Sequence, residues 1–122
     1  MRGRGQRAVR GERGAGSILG VAVIAAVLCL TALVLPLQFA FARGQALAGA
    51  ADAAALAAAD TLSGAVAGTP CAVAASVARA NGAELEACVL DGLVATVRVG
   101  GSAAGIHLSA TATAGPPPSG ND

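Results

Sequence analysis

The sequence predicts an α+β protein in which an N-terminal transmembrane helix extends into a long alanine-rich helix, followed by a short helix packed on a three-stranded antiparallel β-meander. Three observations predict it. No charged residue occurs between Ser17 and Ala42, and the stretch from Arg43 to about Ser63 is dominated by Ala, the strongest helix former. Beyond Leu85 the apolar period changes from 3.6 to 2, with Asp91-Gly92 between two alternating runs.

Composition narrows the possibilities. The 122 residues are 55% hydrophobic with a mean hydropathy of +0.68, yet contain no Trp or Tyr and only two Phe, so the apolarity is mostly Ala, Val and Leu. Outside the membrane segment one domain of roughly 60 to 80 residues remains, a size that is marginal without a staple or a partner. The formal net charge is only +1, but it is distributed unevenly. Arg2, Arg4, Arg7, Arg10 and Arg13 stand against Glu12 alone, which makes 1–16 a basic leader. A Gly/Arg-rich tail can bind nucleic acid by neutralising phosphates; this one has no aromatic for base stacking and leads straight into an apolar run. It reads instead as a cytoplasmic flank, with no nucleic-acid partner expected.

The membrane segment is assigned to 17–42. Its core, Ile18 to Leu37, is 20 residues long, about 30 Å as a helix and enough for one bilayer. Because positive residues gather on the cytoplasmic side of a span, the N-terminus is expected inside and everything after Ala42 outside, a single pass of the cytoplasmic membrane. Phe39 and Phe41 then fall near the outer interface, and Pro36 deletes one backbone bond in the last turns. A secretory signal cut after Ala42 is the main alternative: Ala40 and Ala42 supply a small-x-small site, but the apolar run exceeds the usual 7 to 15 residues. Acylation at Cys29 would require a small residue before it, where Leu28 stands, so Cys29 reads as a small apolar residue of the helix.

The segment 43–64 is expected to be an extracytoplasmic helix, with Leu47, Leu56 and Leu62 as its large apolar residues and Gly44 and Gly49 as soft points. Studded with Ala, it favours close packing against copies of itself or related subunits. Asp52 and Asp60, eight residues apart, project on roughly one face and are candidate partner contacts, the simpler expectation being solvation. The stretch Arg13 to Asp60, with RGAGSILG opening the apolar run and ALAGAADAAALAAAD closing the helix, resembles the N-terminal segment of the Flp pilus assembly TadE/TadG-like proteins. In that family a short basic leader precedes a membrane helix and a repeated Ala motif around an Asp. The short C-terminal part with two cysteines is similar to a small actinobacterial TadE-like branch. The resemblance implies a minor pseudopilin-like or accessory subunit. One feature departs from pilin-like members: no Gly of the leader has a Glu five residues on, since Val21 follows Gly16 at that spacing, Leu19 follows Gly14 and Gly16 follows Gly11. A retained leader is therefore expected, as in a fixed membrane component.

The region 65–114 is expected to be a small α+β domain. Thr69-Pro70 starts a helix, with Thr as N-cap and Pro at the first position, and Asn81-Gly82 ends it. Val73, Val77 and Ala80 form its expected apolar stripe, with Arg79 pointing away. A type I′ turn at Asp91-Gly92 would pair Leu90 with Leu93 and Cys88 with Ala95. Cys88, Leu90, Leu93, Ala95, Val97 and Val99 then share the core face, opposite Val94, Thr96 and Arg98. Gly100-Gly101 is expected as a flexible connection, and Ile106 to Ala114 as a third strand with Ile106, Leu108, Ala110 and Ala112 inward and His107 outward. The Pro-rich segment 115–122 is expected to be extended or disordered.

Cys71 opens the short helix and Cys88 lies on the strand face that this helix covers, so the expectation is a structural disulfide, the alternative being two separate buried thiols. Closing a loop of about 17 residues would contribute about 3 kcal/mol. No phosphate loop, metal spacing or nucleophile signature is present, His107 and the pair Glu84 and Glu86 read as solvated surface groups, and no cofactor, metal or small-molecule substrate is expected. The function expected is non-enzymatic, a structural or assembly component of a Tad-type Flp pilus or secretion apparatus. The alternative is a small binding module released after Ala42.

Overall fold

The computed structural model describes residues 2–118, with side chains from Gly14 onward; the side chains of most of the basic leader and the last four residues of the Pro-rich tail lie outside the described residues. The elements are α1 (Arg2–Leu62), α2 (Pro70–Ala80), β1 (Glu84–Asp91), β2 (Val94–Ala103) and β3 (Ile106–Ala114). The fold is α+β, as the sequence predicts. Two compact units divide the chain, one up to Gln38 and the other from Phe39 onward.

The first unit is helix alone. Every large apolar side chain from Ile18 to Leu37 is solvent-exposed, from 72% at Ile18 down to 47% at Val34. Apolar groups of this size do not stay in water at such density, and the helix is long and apolar enough to cross a membrane. Within this stretch the Thr31 hydroxyl donates to the Val27 carbonyl at 2.8 Å, which satisfies the one hydroxyl among the aliphatic side chains. Pro36 stays inside the helix, leaving the Ala32 carbonyl without its usual donor.

In the second unit α1 changes character. Leu47, Ala50, Ala51, Ala54, Ala55, Ala58 and Thr61 are buried and recur at spacings of three and four, one stripe of a helix. They pack with Ala95, Val97 and Val99 of the central strand, Ala112 of β3, and Ala74 and Ala78 of α2. With methyl groups on most helical positions, backbone can approach backbone closely, and only Leu47, Val97 and Val99 supply bulk among the fully buried side chains.

The sheet has the order β1-β2-β3, antiparallel throughout. Four expectations are corrected here. The first turn is Gly92-Leu93, with Asp91 paired to Val94 and Cys88 to Val97. Gly92 has φ +58° and neither Asp91 nor Leu93 is positive. A turn with glycine at its first central position needs one left-handed residue, whereas the expected Asp-Gly turn needs two. The pairing moves by two residues, so Cys88, Ala95, Val97 and Val99 keep the core face, but Leu93 joins the turn and both it and Leu90 are exposed.

Second, β2 continues through Gly100 and Gly101, which pair with Ser109 and Leu108, and the reversal comes at Ala104-Gly105. Third, Ile106 is 62% exposed, because it sits at this turn beyond the reach of the helices. Fourth, the fully buried positions of α2 are Ala74 and Ala78, while Val73 and Val77 are half-buried and Ala80 is exposed. Close approach selects the smallest side chains for the line of contact and leaves valines to flank it. The ends of α2 follow expectation in part. Thr69 is the N-cap, without a side-chain capping bond, and Gly82 at φ +74° closes the C-terminus, its N–H donating to Arg79 and that of Ala83 to the Ala78 carbonyl.

Candidate functional site

The sequence singled out Cys71, Cys88, Asp52 and Asp60. The first two are brought together. Cys71 on the first turn of α2 and Cys88 on the core face of β1 form a disulfide, with Cα atoms 5.9 Å apart, inside the range such bonds require. It closes a separation of 17 residues and ties α2 to the edge strand. Cys29 remains a free, exposed thiol in the first unit.

Asp52 and Asp60 are both exposed, on the side of α1 away from its alanine stripe, and neither makes a salt bridge among the described residues. Asp60 lies on the rim of a shallow groove with Leu56, Ala59, Ser63, Leu93, Gly115 and Pro116. Its carboxylate is the one charge among these residues.

Two clusters were not foreseen. On the solvent face of the sheet Glu86 of β1 reaches over β2 to His107 of β3, with Glu86 Oε1 2.6 Å from His107 Nε2 and Oε2 3.8 Å from Arg98 Nε. Strict alternation from Cys88 would turn Glu86 inward. A β-bulge between Leu85 and Ala87 inverts this, placing Leu85 against the core and Glu86 outside. Gly100 is what lets the pair meet: a Cβ there would run into the Glu86 carboxylate and the His107 ring. The other cluster centres on Arg43, which the sequence offers only as a flanking charge. Its Nη2 donates to the Gly82 carbonyl at 2.8 Å, and its guanidinium and the Leu47 side chain occupy the space a Cβ on Gly101 would need. The two consecutive glycines of β2 are thus clearances for side chains on opposite faces of the sheet. Gly100 and Gly101 were the available signal, but a glycine pair reads equally as a turn.

Comparison with models of known protein families, with characterised proteins and with solved structures finds no match for this chain. What the arrangement can do must be read from its chemistry. Among the described residues no group of three or more His, Cys, Asp or Glu converges to hold a metal ion. The Glu86, His107 and Arg98 cluster lies on the solvent face of the sheet, and its geometry is that of a cross-strand brace. The features with the widest reach are a staple, an alanine-lined helix and an exposed apolar segment, all means of being held and of packing.

Proposed function

We propose that this chain is a non-enzymatic structural or assembly component of a Tad-type Flp pilus or secretion apparatus, a minor pseudopilin-like or accessory subunit of the TadE/TadG-like kind. One observation carries the reading: a single helix whose residues from Ile18 to Leu37 are exposed and apolar, while its residues from Leu47 to Thr61 carry the core stripe of a disulfide-bonded α+β unit. Membrane anchoring follows from the first part. Orientation follows from the arginines of the leader, which favour the cytoplasmic side, and agrees with the disulfide, a bond at home in oxidising compartments. The resemblance of Arg13 to Asp60 to that family supplies the apparatus, and Asp52 and Asp60 are the helix groups offered to other subunits or to copies of this chain.

A second reading has its own support. Among the described residues the core cluster, from Leu47 to Ala112, lies wholly after Ala42, so a module cut there would keep it.

The deciding experiment is intact mass, with and without reduction, of protein recovered separately from membranes and from culture medium. A membrane-held species with its leader and one reducible disulfide is expected. A soluble species beginning at Arg43 would overturn the anchored subunit in favour of the released module, and a cut after Gly14 or Gly16 would mean a prepilin-type peptidase accepts it and that it joins a fibre.

A further inference from the structure

We propose that the turn joining β2 to β3, Ala104-Gly105 with Ile106 beside it, dips into the surface of the lipid bilayer and gives the disulfide-bonded unit a second contact with the membrane. The inference rests on the membrane anchoring in the reading above and not on the pilus.

Contacts within the second unit fix the height of this turn along α1. Toward the C-terminal end of the helix, Leu56, Ala59, Asp60 and Ser63 share a groove with Leu93, Gly115 and Pro116. Toward the other end, the Arg43 guanidinium and the Leu47 side chain lie against Gly101, and Arg43 donates to the Gly82 carbonyl. β2 therefore runs back along α1 toward the end at which the chain enters the unit from its uncharged apolar run. Beyond Gly101 it continues to Ala103, the partner of Ile106. Two further strand residues advance about 7 Å, roughly the rise of four to five helical residues, which brings the turn level with Phe39 to Arg43. Burial agrees: Ala103 is buried, and Ala40 and Gly44, which continue the alanine stripe, are half-buried.

That level is apolar and open. Phe39 and Phe41 are exposed on α1, and Ile106 is exposed on the same face of the sheet as Ala103. The carboxylates of β1 at this end, Glu84 and Glu86, stand on the opposite face.

The turn itself is built without polarity. Ala104 has φ +51° and Gly105 φ +77°, a paired left-handed geometry for which Asn-Gly or Asp-Gly is the usual choice. A methyl stands where those pairs carry an amide or a carboxylate. The turn at the far end of the sheet differs: Gly92-Leu93 follows Asp91, and Asp60 lies on the groove that Leu93 lines. Exposed apolar side chains confined to one end, level with the residues that directly follow an uncharged apolar run, are what a lipid surface accepts.

The test uses the full chain in phosphatidylcholine nanodiscs carrying a spin-labelled lipid, with paramagnetic broadening of amide signals as the readout. Broadening is expected at Leu28 in the span and at Ala104, Gly105 and Ile106, with none at Gly92 and Leu93. Ile106→Ser, at an exposed position, should keep the disulfide by intact mass and lower the broadening at Ala104 and Gly105 about twofold or more. Broadening at Leu28 with a silent β2–β3 turn would overturn the proposal and leave the anchored reading standing. A silent Leu28 would overturn both. Equal broadening of the turn in wild type and Ile106→Ser, or broadening of Gly92 and Leu93 as strong as that of Gly105, would also overturn it.

Discussion

The residues from Ile18 to Leu37 and those from Leu47 to Thr61 belong to one α-helix, yet they solve opposite problems. The large branched side chains of the first set are all exposed; the buried stripe of the second is nearly all methyl. Helical structure is common to both, so side-chain size and surroundings make the difference. Where Leu and Ile are exposed in quantity, a lipid phase is the solvent that accepts them. Where Ala is buried, the gain comes from close approach of backbone to sheet, and the few large side chains that enter carry a disproportionate share of the packing.

The sharpest way to break this comparison is to make one substitution in both regions. Leu47→Ala removes one of the three bulkiest fully buried side chains and should cost the domain about 2–5 kcal/mol in urea unfolding monitored by circular dichroism. Leu28→Ala, at an exposed position, should leave that transition where it is. Equal effects would mean that the apolar stretch is part of the domain core. Next in size is the staple. Replacing Cys71 and Cys88 together by Ala should cost about 3 kcal/mol for a closed separation of 17 residues, read as a lowered urea midpoint. In a unit with so little bulk in its core this is a large share of the total. Smallest are the polar braces. Arg43→Ala, which loses the bond to the Gly82 carbonyl, should cost about 1 kcal/mol, and His107→Ala, at an exposed cross-strand pair, less than about 1 kcal/mol by the same measurement.

The same contrast explains which parts could be read from the sequence. A long uncharged run and a run of Ala announce themselves by composition, and the alternation around Val97 and Val99 identifies a strand whatever its neighbours do. The disulfide was legible because Cys71 and Cys88 fall on facing elements whose periods could be counted. What stayed hidden depends on contacts between distant residues. The apolar stripe of α2 was expected at the valines, because hydrophobicity favours Val73 and Val77; the sheet beneath admits only Ala74 and Ala78 on the line of closest approach. Gly100 and Gly101 were expected to break the sheet, whereas they continue it by making room for Glu86 with His107 on one face and Arg43 with Leu47 on the other. A single bulged residue turned Glu86 outward and Leu85 inward, and no local pattern marks that inversion. For the candidate contacts Asp52 and Asp60, the sequence and the fold agree on an exposed helix face and identify no partner.

The alanine stripe has a thermal consequence. Heat capacity rises on unfolding in proportion to the apolar area newly exposed to water, and a contact made of methyl groups and backbone exposes less of it than one made of leucines and phenylalanines. The curvature of stability against temperature is set by that quantity. A domain built this way has a shallower dome, so its stability changes less steeply with moderate cooling or warming than that of a leucine-rich domain of the same size.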